Sequence, residues 1–318
     1  MTAHARPLPV SAIPVGPTRI RAAGALGLLT WPALEGSGAD VAVTARSGGV
    51  SSGPYATLNL SLTVGDDPVN VLENRRRVAA ALDARLDDFV FARQVHGPGV
   101  RIVGAADRGR GVSSLDDAVP DADALVTRDP GVVLAILAAD CVPVVLHDPV
   151  AGVLACVHAG WRGTVARVCA AAVAAMESLG SRRSDVIAGV GPAAAPSRYQ
   201  VGADVYQAVT RVFGPAATAF IRPDSAPEHW LLDLWAANHF VLRDAGVPEA
   251  QIHVTDLPTG AIDLSAPARP ADPVNPVGTV IATDSTDLSR HGYFFSDRAA
   301  RPCGRLALIA RLRAGGAR

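Results

Sequence analysis

The stretch that decides the fold class reads Ala138-Ala-Asp-Cys-Val-Pro-Val-Val-Leu-His147, then a turn, then Val153-Leu-Ala-Cys-Val-His-Ala-Gly-Trp-Arg-Gly-Thr164. It contains two short apolar runs rich in β-branched residues, and an Asp-Pro and a Gly lie between them, which is typical of consecutive buried strands. Similar runs precede it at residues 124–127 and 132–137. Because these four runs follow one another without an intervening helix, the pattern argues against a doubly wound nucleotide-binding fold.

Helices are predicted on both sides of this strand cluster. Asp67 followed by Pro68 is a helix start, and the helix is expected to continue to about residue 82. Apolar residues recur at helical spacing from 164 to 179, where Gly180 ends the pattern. Further helices are expected at residues 203–213 and 231–244, and further strands at 40–44, 89–95, 100–103, 185–190, 252–255 and 306–309. The sequence therefore predicts an α/β (α+β) protein, a single-domain mixed β-sheet sandwich flanked by helices.

The domain boundaries follow from composition. Residues 1–25 are rich in Pro and Ala and lack periodicity, so we expect a flexible tail there and one catalytic domain over 26–318. Residues 258–276 are rich in Pro, Ala and Asp and are expected to form a loop insertion. The apolar run near residues 22–29 is too short to cross a membrane.

Charge and cysteine content narrow the function classes. The 318-residue chain carries 29 Lys+Arg against 30 Asp+Glu, a net charge of −1, so nonspecific binding to nucleic acid is not expected. All its basic residues are arginines, which excludes a Schiff-base lysine and a P-loop lysine. Its four cysteines form no CxxC pair and no disulfide-framework spacing, which favours the reducing cytoplasm.

Three residues are candidate metal ligands. His96, Cys141 and His158 each lie at the end of an apolar run, and His96 and His158 also lie beside glycines. A thiolate and two imidazoles suit zinc or copper, and three protein ligands leave one position open for water or substrate. Their separations of 45 and 17 residues match no zinc-finger spacing, so the site requires that folding bring them together. Taken singly, each could instead be an exposed histidine or a buried structural cysteine, and Cys141 with a histidine could also be a nucleophile pair.

Three arginines are candidate anion ligands: Arg46 in a Gly-Gly turn, Arg162 between Trp161 and Gly163, and Arg298 after Phe-Phe-Ser-Asp. The planar guanidinium suits bidentate binding of phosphate or carboxylate. A solvated surface arginine is the alternative for each of them.

The order of motifs along the chain resembles the YfiH-like family. The resemblance rests on these segments: Thr44-Ala-Arg-Ser-Gly-Gly49, Leu58-Asn-Leu60, Val64-Gly-Asp-Asp67, Arg93-Gln-Val-His-Gly97, Asp123-Ala-Leu-Val-Thr127, Ala139-Asp-Cys141, Val157-His-Ala-Gly-Trp-Arg-Gly-Thr164, Asp233-Leu-Trp-Ala-Ala-Asn238 and Phe294-Phe-Ser-Asp-Arg298. This family was first labelled laccase-like multicopper polyphenol oxidases and later recognised as zinc-dependent purine nucleoside phosphorylases that also deaminate adenosine.

The resemblance implies functions for particular residues. It implies a Zn²⁺ site, with Cu²⁺ as the alternative metal, on His96, Cys141 and His158. It implies purine nucleosides and phosphate as partners, with adenosine, inosine, guanosine and methylthioadenosine as substrates of phosphorolysis. As further hypotheses we assign catalytic roles to Cys141, Asp140 and Gln94, and substrate or phosphate binding to Arg46, Asn59, Arg162 and Arg298. One departure is Thr63, where family members often have histidine before Val-Gly-Asp.

Other functions stay open from the sequence. They are a copper-dependent polyphenol oxidase, a hydrolase with Cys141 as nucleophile in peptidoglycan precursor editing, and a non-catalytic regulatory protein. Eight histidines without an HxH pair make a multicopper centre a poor fit. We expect a cytoplasmic protein without a nucleic-acid or membrane partner; the sequence does not determine the oligomeric state, and a monomer is compatible with it.

Overall fold

A computed structural model describes residues 13, 15–260 and 292–314, and its centre is a pair of β-sheets packed face to face. The first sheet contains, in spatial order, β1 (Arg19–Ala23), β2 (Leu26–Thr30), β3 (Ala39–Thr44), β15 (Leu306–Leu312), β7 (Val133–Ala138) and β4 (Phe89–Phe91). The second contains β14 (Ile252–Val254), β10 (Ile187–Val190), β8 (Val142–Asp148), β9 (Val153–Ala159), β6 (Ala124–Thr127) and β5 (Val100–Ile102). A small sheet of β11 (Gln200–Val201), β13 (Trp230–Leu232) and β12 (Ile221–Pro223) lies apart from both.

Helices cover the outer faces of the two large sheets. They are α1 (Pro68–Ala81), α2 (Trp161–Val165), α3 (Val168–Ser178), α4 (Ala203–Phe213) and α5 (Leu234–Asp244). The predicted start of α1 is confirmed, because the Asp67 side chain accepts a hydrogen bond from the Val69 N–H at 2.9 Å and Pro68 is the first helical residue.

The alternation of side chains along the strands explains the layers. The two faces of one strand pack in different cores. In β9, Leu154 and Cys156 pack between the sheets, whereas Ala155 and Val157 pack under the helices. The first sheet does the same, since Leu308 points to the second sheet and Ile309 to the side of α1. Strands buried on both faces read as continuous apolar runs, which is why the sequence pattern located them. The predicted mixed α/β sandwich flanked by helices is confirmed.

Three of the sequence predictions need correction. The flexible tail was predicted too long, because residues 19–23 form β1 and pair antiparallel with β2; residues 1–12 and 14 lie outside the described residues. The helix predicted over 164–179 is two helices, since Arg167 adopts a left-handed conformation (φ 61°) between α2 and α3. The helix predicted from residue 231 begins at Leu234, and residues 230–232 belong to β13.

Two further predictions concern a loop insertion and a membrane-spanning segment. Most of the loop insertion predicted at 258–276 lies outside the described residues, which resume at Gly292. Among the helices that are described, none is long and apolar enough to cross a membrane.

Candidate metal centre

The three predicted ligands meet at one end of the sandwich. The ligand atoms that His96, Cys141 and His158 offer all lie within 4.8 Å of one another. His96 is exposed, Cys141 is half-buried and His158 is buried, so the cluster opens to solvent on the side of His96. The expectation that folding brings these residues together is confirmed.

Strand register accounts for the pair in the second sheet. β8 and β9 run antiparallel with Val142 opposite Ala159 and Pro143 opposite His158. Cys141 directly precedes β8 and His158 is close to the end of β9, so both side chains reach the same edge of this sheet. His96 lies in the loop that connects β4 of the first sheet to β5 of the second, and its φ of 61° is left-handed. The cluster therefore brings a loop residue to the edge of the second sheet.

A glycine leaves the space that the three ligands need. A Cβ on Gly160 would lie 2.8 Å from Cys141 Sγ and 3.2 Å from His96 Cδ2. Sulfur and imidazole donors around this space fit zinc, whose bonds to such donors are about 2.0–2.3 Å long. Three protein ligands are also the number that catalytic zinc sites use, with one position left for a reactant.

Asp123 connects the two histidines. Its Oδ1 accepts hydrogen bonds from His158 Nδ1 at 2.8 Å and from the His96 N–H at 2.9 Å. Its Oδ2 accepts from the N–H groups of Gly97 at 2.7 Å and Val95 at 3.1 Å. The carboxyl group is fully buried, which would raise its pKa, but its bonds to His158 and the backbone hold that pKa below its usual range.

The electrostatics favour a thiolate at neutral pH. Burial acts to raise the pKa of Cys141, but the neighbouring His158 and His96 imidazoles outweigh it and lower that pKa to about 6. Burial acts to lower the pKa of His158, but Cys141 and Asp123 raise it to about 9. The buried Cys156 and Cys169 differ, because burial raises the pKa of each thiol without a compensating charge. Thiolates are the form of cysteine that binds metals, so Cys141 is the cysteine suited to do so.

A cleft of about 280 Å³ lies at Asp140, the residue before Cys141. It is lined by Asp140, Ala194, Ala195, Arg198, Thr259, Gly260, Ser296, Arg298 and Ala299. The Arg298 guanidinium lies over the Tyr199 ring at 4.6 Å from its centre, and burial together with the nearby Cys141 raises the pKa of the Tyr199 phenol. Two arginines at one cleft next to a thiolate provide positive charge for an anionic ligand.

Asp140 lines this cleft but its carboxylate is already bonded. Oδ1 accepts from the Thr259 hydroxyl at 2.5 Å and Oδ2 accepts from the Arg298 N–H at 2.7 Å. Asp140 thus ties residues 259 and 298 to the strand that carries Cys141. Its predicted catalytic role stays a prediction, and its observed contacts are those of a residue that shapes the cleft.

The structure places Gln94 and Asn59 in structural positions. Both ends of the Gln94 amide bond the backbone of Leu137, at 2.7 and 2.8 Å, and so hold the His96 loop against β7. Asn59 is fully buried, and its amide bonds Ser61, Asp66 and the Arg305 N–H. The substrate-binding role predicted for Asn59 stays a prediction, and its observed contacts are those of a buried amide with both ends bonded.

Arg46 and Arg162 lie outside the lining of the cleft. The Arg46 guanidinium donates to the Ala56 carbonyl at 2.7 and 3.1 Å and lies 4.9 Å from the centre of the Phe295 ring. Arg162 is exposed in α2 and its guanidinium stacks on the neighbouring Trp161 at 4.4 Å. Their predicted phosphate-binding roles stay predictions, whereas Arg298 lies where a phosphate ligand could use it.

Sequence reasoning did not single out Asp123, Gly160, Tyr199 or Arg198 as site residues. One signal for Asp123 was present: an acid directly before the apolar strand at 124–127, combined with the rule that a histidine bound to metal donates its second N–H to a carboxylate. The positions of Gly160, Tyr199 and Arg198 depend on chain packing, which the motif spacing does not encode.

A profile of the family described as "Multi-copper polyphenol oxidoreductase laccase" matches residues 40–265. The crystal structure of YlmD from Geobacillus stearothermophilus superimposes with a TM-score of 0.78 at 31% identity, covering 94% of this chain and 100% of that one. The Bacillus licheniformis protein YfiH superimposes equally well, at 29% identity over 93% of this chain and 99% of its own. This chain belongs to the YfiH-like family.

Curated relatives carry enzyme names. The Geobacillus stearothermophilus relative, named purine nucleoside phosphorylase YlmD, is 38% identical over 233 residues, which is 73% of this chain and 85% of the relative. A protein from an unknown prokaryotic organism, named adenosine deaminase RL5, is 39% identical over 199 residues, which is 62% of this chain and 75% of that protein. This YfiH-like chain is thus similar to enzymes of purine nucleosides.

Proposed function

We propose that this protein is a zinc-dependent purine nucleoside phosphorylase with adenosine deaminase activity, carried by one catalytic domain. The observation that carries the proposal is the His96–Cys141–His158 cluster, which lies beside an arginine-lined cleft in a chain similar to enzymes with those two names. Purine nucleosides and phosphate are the partners that follow, and a cytoplasmic location fits the four unpaired cysteines.

One zinc ion fits this cluster better than a multicopper centre does. In the part of the chain that the structure describes, His96, Cys141 and His158, called the triad below, form the one cluster of three or more His, Cys, Asp and Glu side chains placed to share an ion. Oxidation of phenols by a multicopper enzyme needs several coppers, and one three-ligand cluster cannot hold them. When bound, zinc supplies Lewis-acid catalysis to this site.

The residues around the triad serve the two substrates. Phosphorolysis needs phosphate held beside the ribose while the purine leaves C1′, and this requires fixed positive charge. Arg298 is held over Tyr199 and its backbone N–H is tied to Asp140, so its cation is positioned before phosphate arrives. We place phosphate against Arg298 and Arg198 in the cleft, with the nucleoside between the cleft and the open side of the triad.

The proposed reaction is tested by product analysis with adenosine. With phosphate present, we expect adenine and ribose 1-phosphate; without phosphate, we expect inosine from hydrolytic deamination. Prior treatment with a chelator should abolish both, and zinc should restore them. Activity that survives complete metal removal would instead favour a hydrolase with Cys141 as nucleophile, which the lowered pKa of that thiol would support.

The position of phosphate is tested by Arg298→Gln. Loss of one charge-assisted contact, about 1.5–3 kcal/mol, should raise the KM for phosphate about tenfold or more while phosphate-independent deamination stays near its original rate. Arg301→Gln is the matched control, because Arg301 lies nearby with a side chain 78% exposed and outside the cleft lining. An unchanged phosphate KM in the Arg298 variant would remove Arg298 from the phosphate site.

A further inference from the structure

Asp123 differs from the other acids near the site because it contacts two of the three ligand residues and touches neither cleft nor solvent. It directly precedes β6 and is fully buried, and its two carboxylate oxygens accept four hydrogen bonds. Its own carbonyl accepts a fifth, from the His158 N–H at 2.7 Å. Both the side chain and the backbone of Asp123 therefore hold His158.

The same carboxylate holds the loop that presents His96. Three successive N–H groups, those of residues 95, 96 and 97, converge on its oxygens. Convergent N–H groups form an anion-binding nest, and the buried negative charge stabilises it. His96 lies in the left-handed region, which is unfavourable for a residue other than glycine, so the loop needs such contacts to keep this conformation.

The bond to His158 also selects which ring nitrogen faces Cys141. Asp123 accepts from Nδ1, so Nδ1 keeps its proton and Nε2 is the nitrogen that gives up a proton when a metal binds. A carboxylate partner of this kind fixes both the tautomer and the ring orientation of a metal-binding histidine.

We propose that Asp123 is a positioning residue that sets the geometry of two metal ligands at once, one in the loop after β4 and one in β9, and thereby determines the metal affinity of the site. Its effect on His158 is exerted through one hydrogen bond, and its effect on His96 through the backbone of the loop. The inference rests on the metal site of the proposed function but not on the reaction catalysed there.

The test is the zinc affinity of Asp123→Asn, measured by competition with a chelator of known affinity. The amide keeps the size of the carboxyl group but removes its charge and presents an NH₂ group to N–H donors. Loss of such a partner costs about 10–100-fold in metal affinity, and we expect a dissociation constant for zinc raised by that factor. Binding of Co²⁺ should show the same loss through its weakened thiolate charge-transfer band.

Asp148→Asn is the matched control. Asp148 is also fully buried and accepts from three backbone N–H groups, those of Val150, Ala151 and Arg182, but it lies at the opposite end of β8 from Cys141. Its replacement should lower stability to unfolding by urea as much as the Asp123 variant does, with zinc affinity within about twofold of the original. A folded Asp123→Asn protein that binds zinc with unchanged affinity would overturn the proposal.

A second measurement needs no variant and so remains decisive if Asp123→Asn does not fold. NMR of the histidine ring nitrogens in the zinc-loaded protein should show His158 protonated at Nδ1 and bound to metal through Nε2. Zinc bound through Nδ1 of His158 would also overturn the proposal. Because neither readout uses nucleosides, a failure of the proposed phosphorylase activity would leave both results interpretable.

Discussion

At the scale of single residues, Gly160 leaves the space beside the candidate metal ligands Cys141 and His96. Its backbone lies at φ −71° and ψ 172°, which any residue adopts, so alanine would introduce no backbone strain there. The added Cβ would nevertheless lie 2.8 Å from Cys141 Sγ. We expect Gly160→Ala to fold but to lose zinc affinity by at least about tenfold, since the thiolate must move from its position. Isothermal titration with zinc measures this loss.

Gly97→Ala is the control for that experiment. Gly97 follows His96 directly, yet a Cβ there would meet nothing closer than 3.6 Å, and its N–H bond to Asp123 would remain. We expect its zinc affinity to stay within about threefold of the original. Equal affinities of the two alanine variants would show that the space over Gly160 has no bearing on the site.

The Cys141 thiol provides a prediction about pH. With its pKa lowered to about 6, the metal-free protein should hold thiolate at neutral pH, whereas an ordinary thiol titrates near 8.5. The rate of alkylation by iodoacetamide, followed by peptide mass spectrometry, should therefore rise through pH 6 and level off above about pH 7. Zinc should protect Cys141, and the buried Cys156 should react slowly throughout because burial raises its pKa. A midpoint near pH 8.5 would contradict the proposed influence of the two imidazoles.

At the scale of elements, Arg75 fastens α1 to the loops beneath it. The side chain is buried, and its guanidinium donates to the carbonyls of Leu60, Gly111 and Val112 and lies 3.9 Å from the centre of the Phe91 ring. Burial lowers its pKa to about 9, so the group is still charged at neutral pH. A buried charge with only carbonyl partners is costly to form but also costly to remove, because its partners would be left unpaired.

We expect Arg75→Met to lower the free energy of unfolding by about 3 kcal/mol, measured by urea denaturation. Arg76→Met is the comparison on the same helix. The Arg76 side chain is 59% exposed and pairs with Glu73 at 3.8 Å, so its loss should cost less than about 1 kcal/mol. Similar values for the two variants would mean that the three carbonyls find other donors.

Some elements could be predicted from the sequence because their signals are local. Asp67-Pro68 fixes the start of α1 through side-chain capping and a proline φ that suits a helix. The strands buried on both faces stand out as continuous apolar runs. In contrast, the break between α2 and α3 occurs at Arg167, which adopts a left-handed conformation. The sequence has no glycine or proline there that would predict the break. Strand β1 was not predicted because it is short and its exposed arginines make its sequence similar to that of the preceding tail. Its pairing with β2 arises only when the chain folds.

The same distinction applies to the site. The His96–Cys141–His158 cluster could be predicted because one thiol and two imidazoles at the ends of apolar runs suit a shared metal, and the family resemblance singled out the same residues. The roles predicted for Asn59 and Gln94 stay predictions, because an amide side chain serves a loop as readily as it serves a substrate. Only the hydrogen-bond partners separate those two uses, and these partners come from distant parts of the chain.

At the scale of the whole molecule, the three candidate ligands come from separate segments of the chain. His96 lies in the loop between β4 and β5, Cys141 directly precedes β8, and His158 lies near the end of β9. An ion bound to all three would link these segments at one end of the sandwich, beyond the apolar contacts that already join the two sheets. Metal bound only to the folded arrangement stabilises that arrangement by mass action.

We therefore expect zinc to raise the melting temperature of the whole protein. A ligand present at 100 times its dissociation constant contributes about 2.7 kcal/mol, which for a chain of this size corresponds to a shift on the order of 5 °C. Differential scanning calorimetry of chelator-treated and zinc-loaded protein measures it. His96→Asn should abolish the shift, because it removes one of the three proposed ligands, whereas His229→Asn, at an exposed histidine in another part of the fold, should retain it. If the His96 variant kept the full shift, the stabilising ion would have to bind without His96.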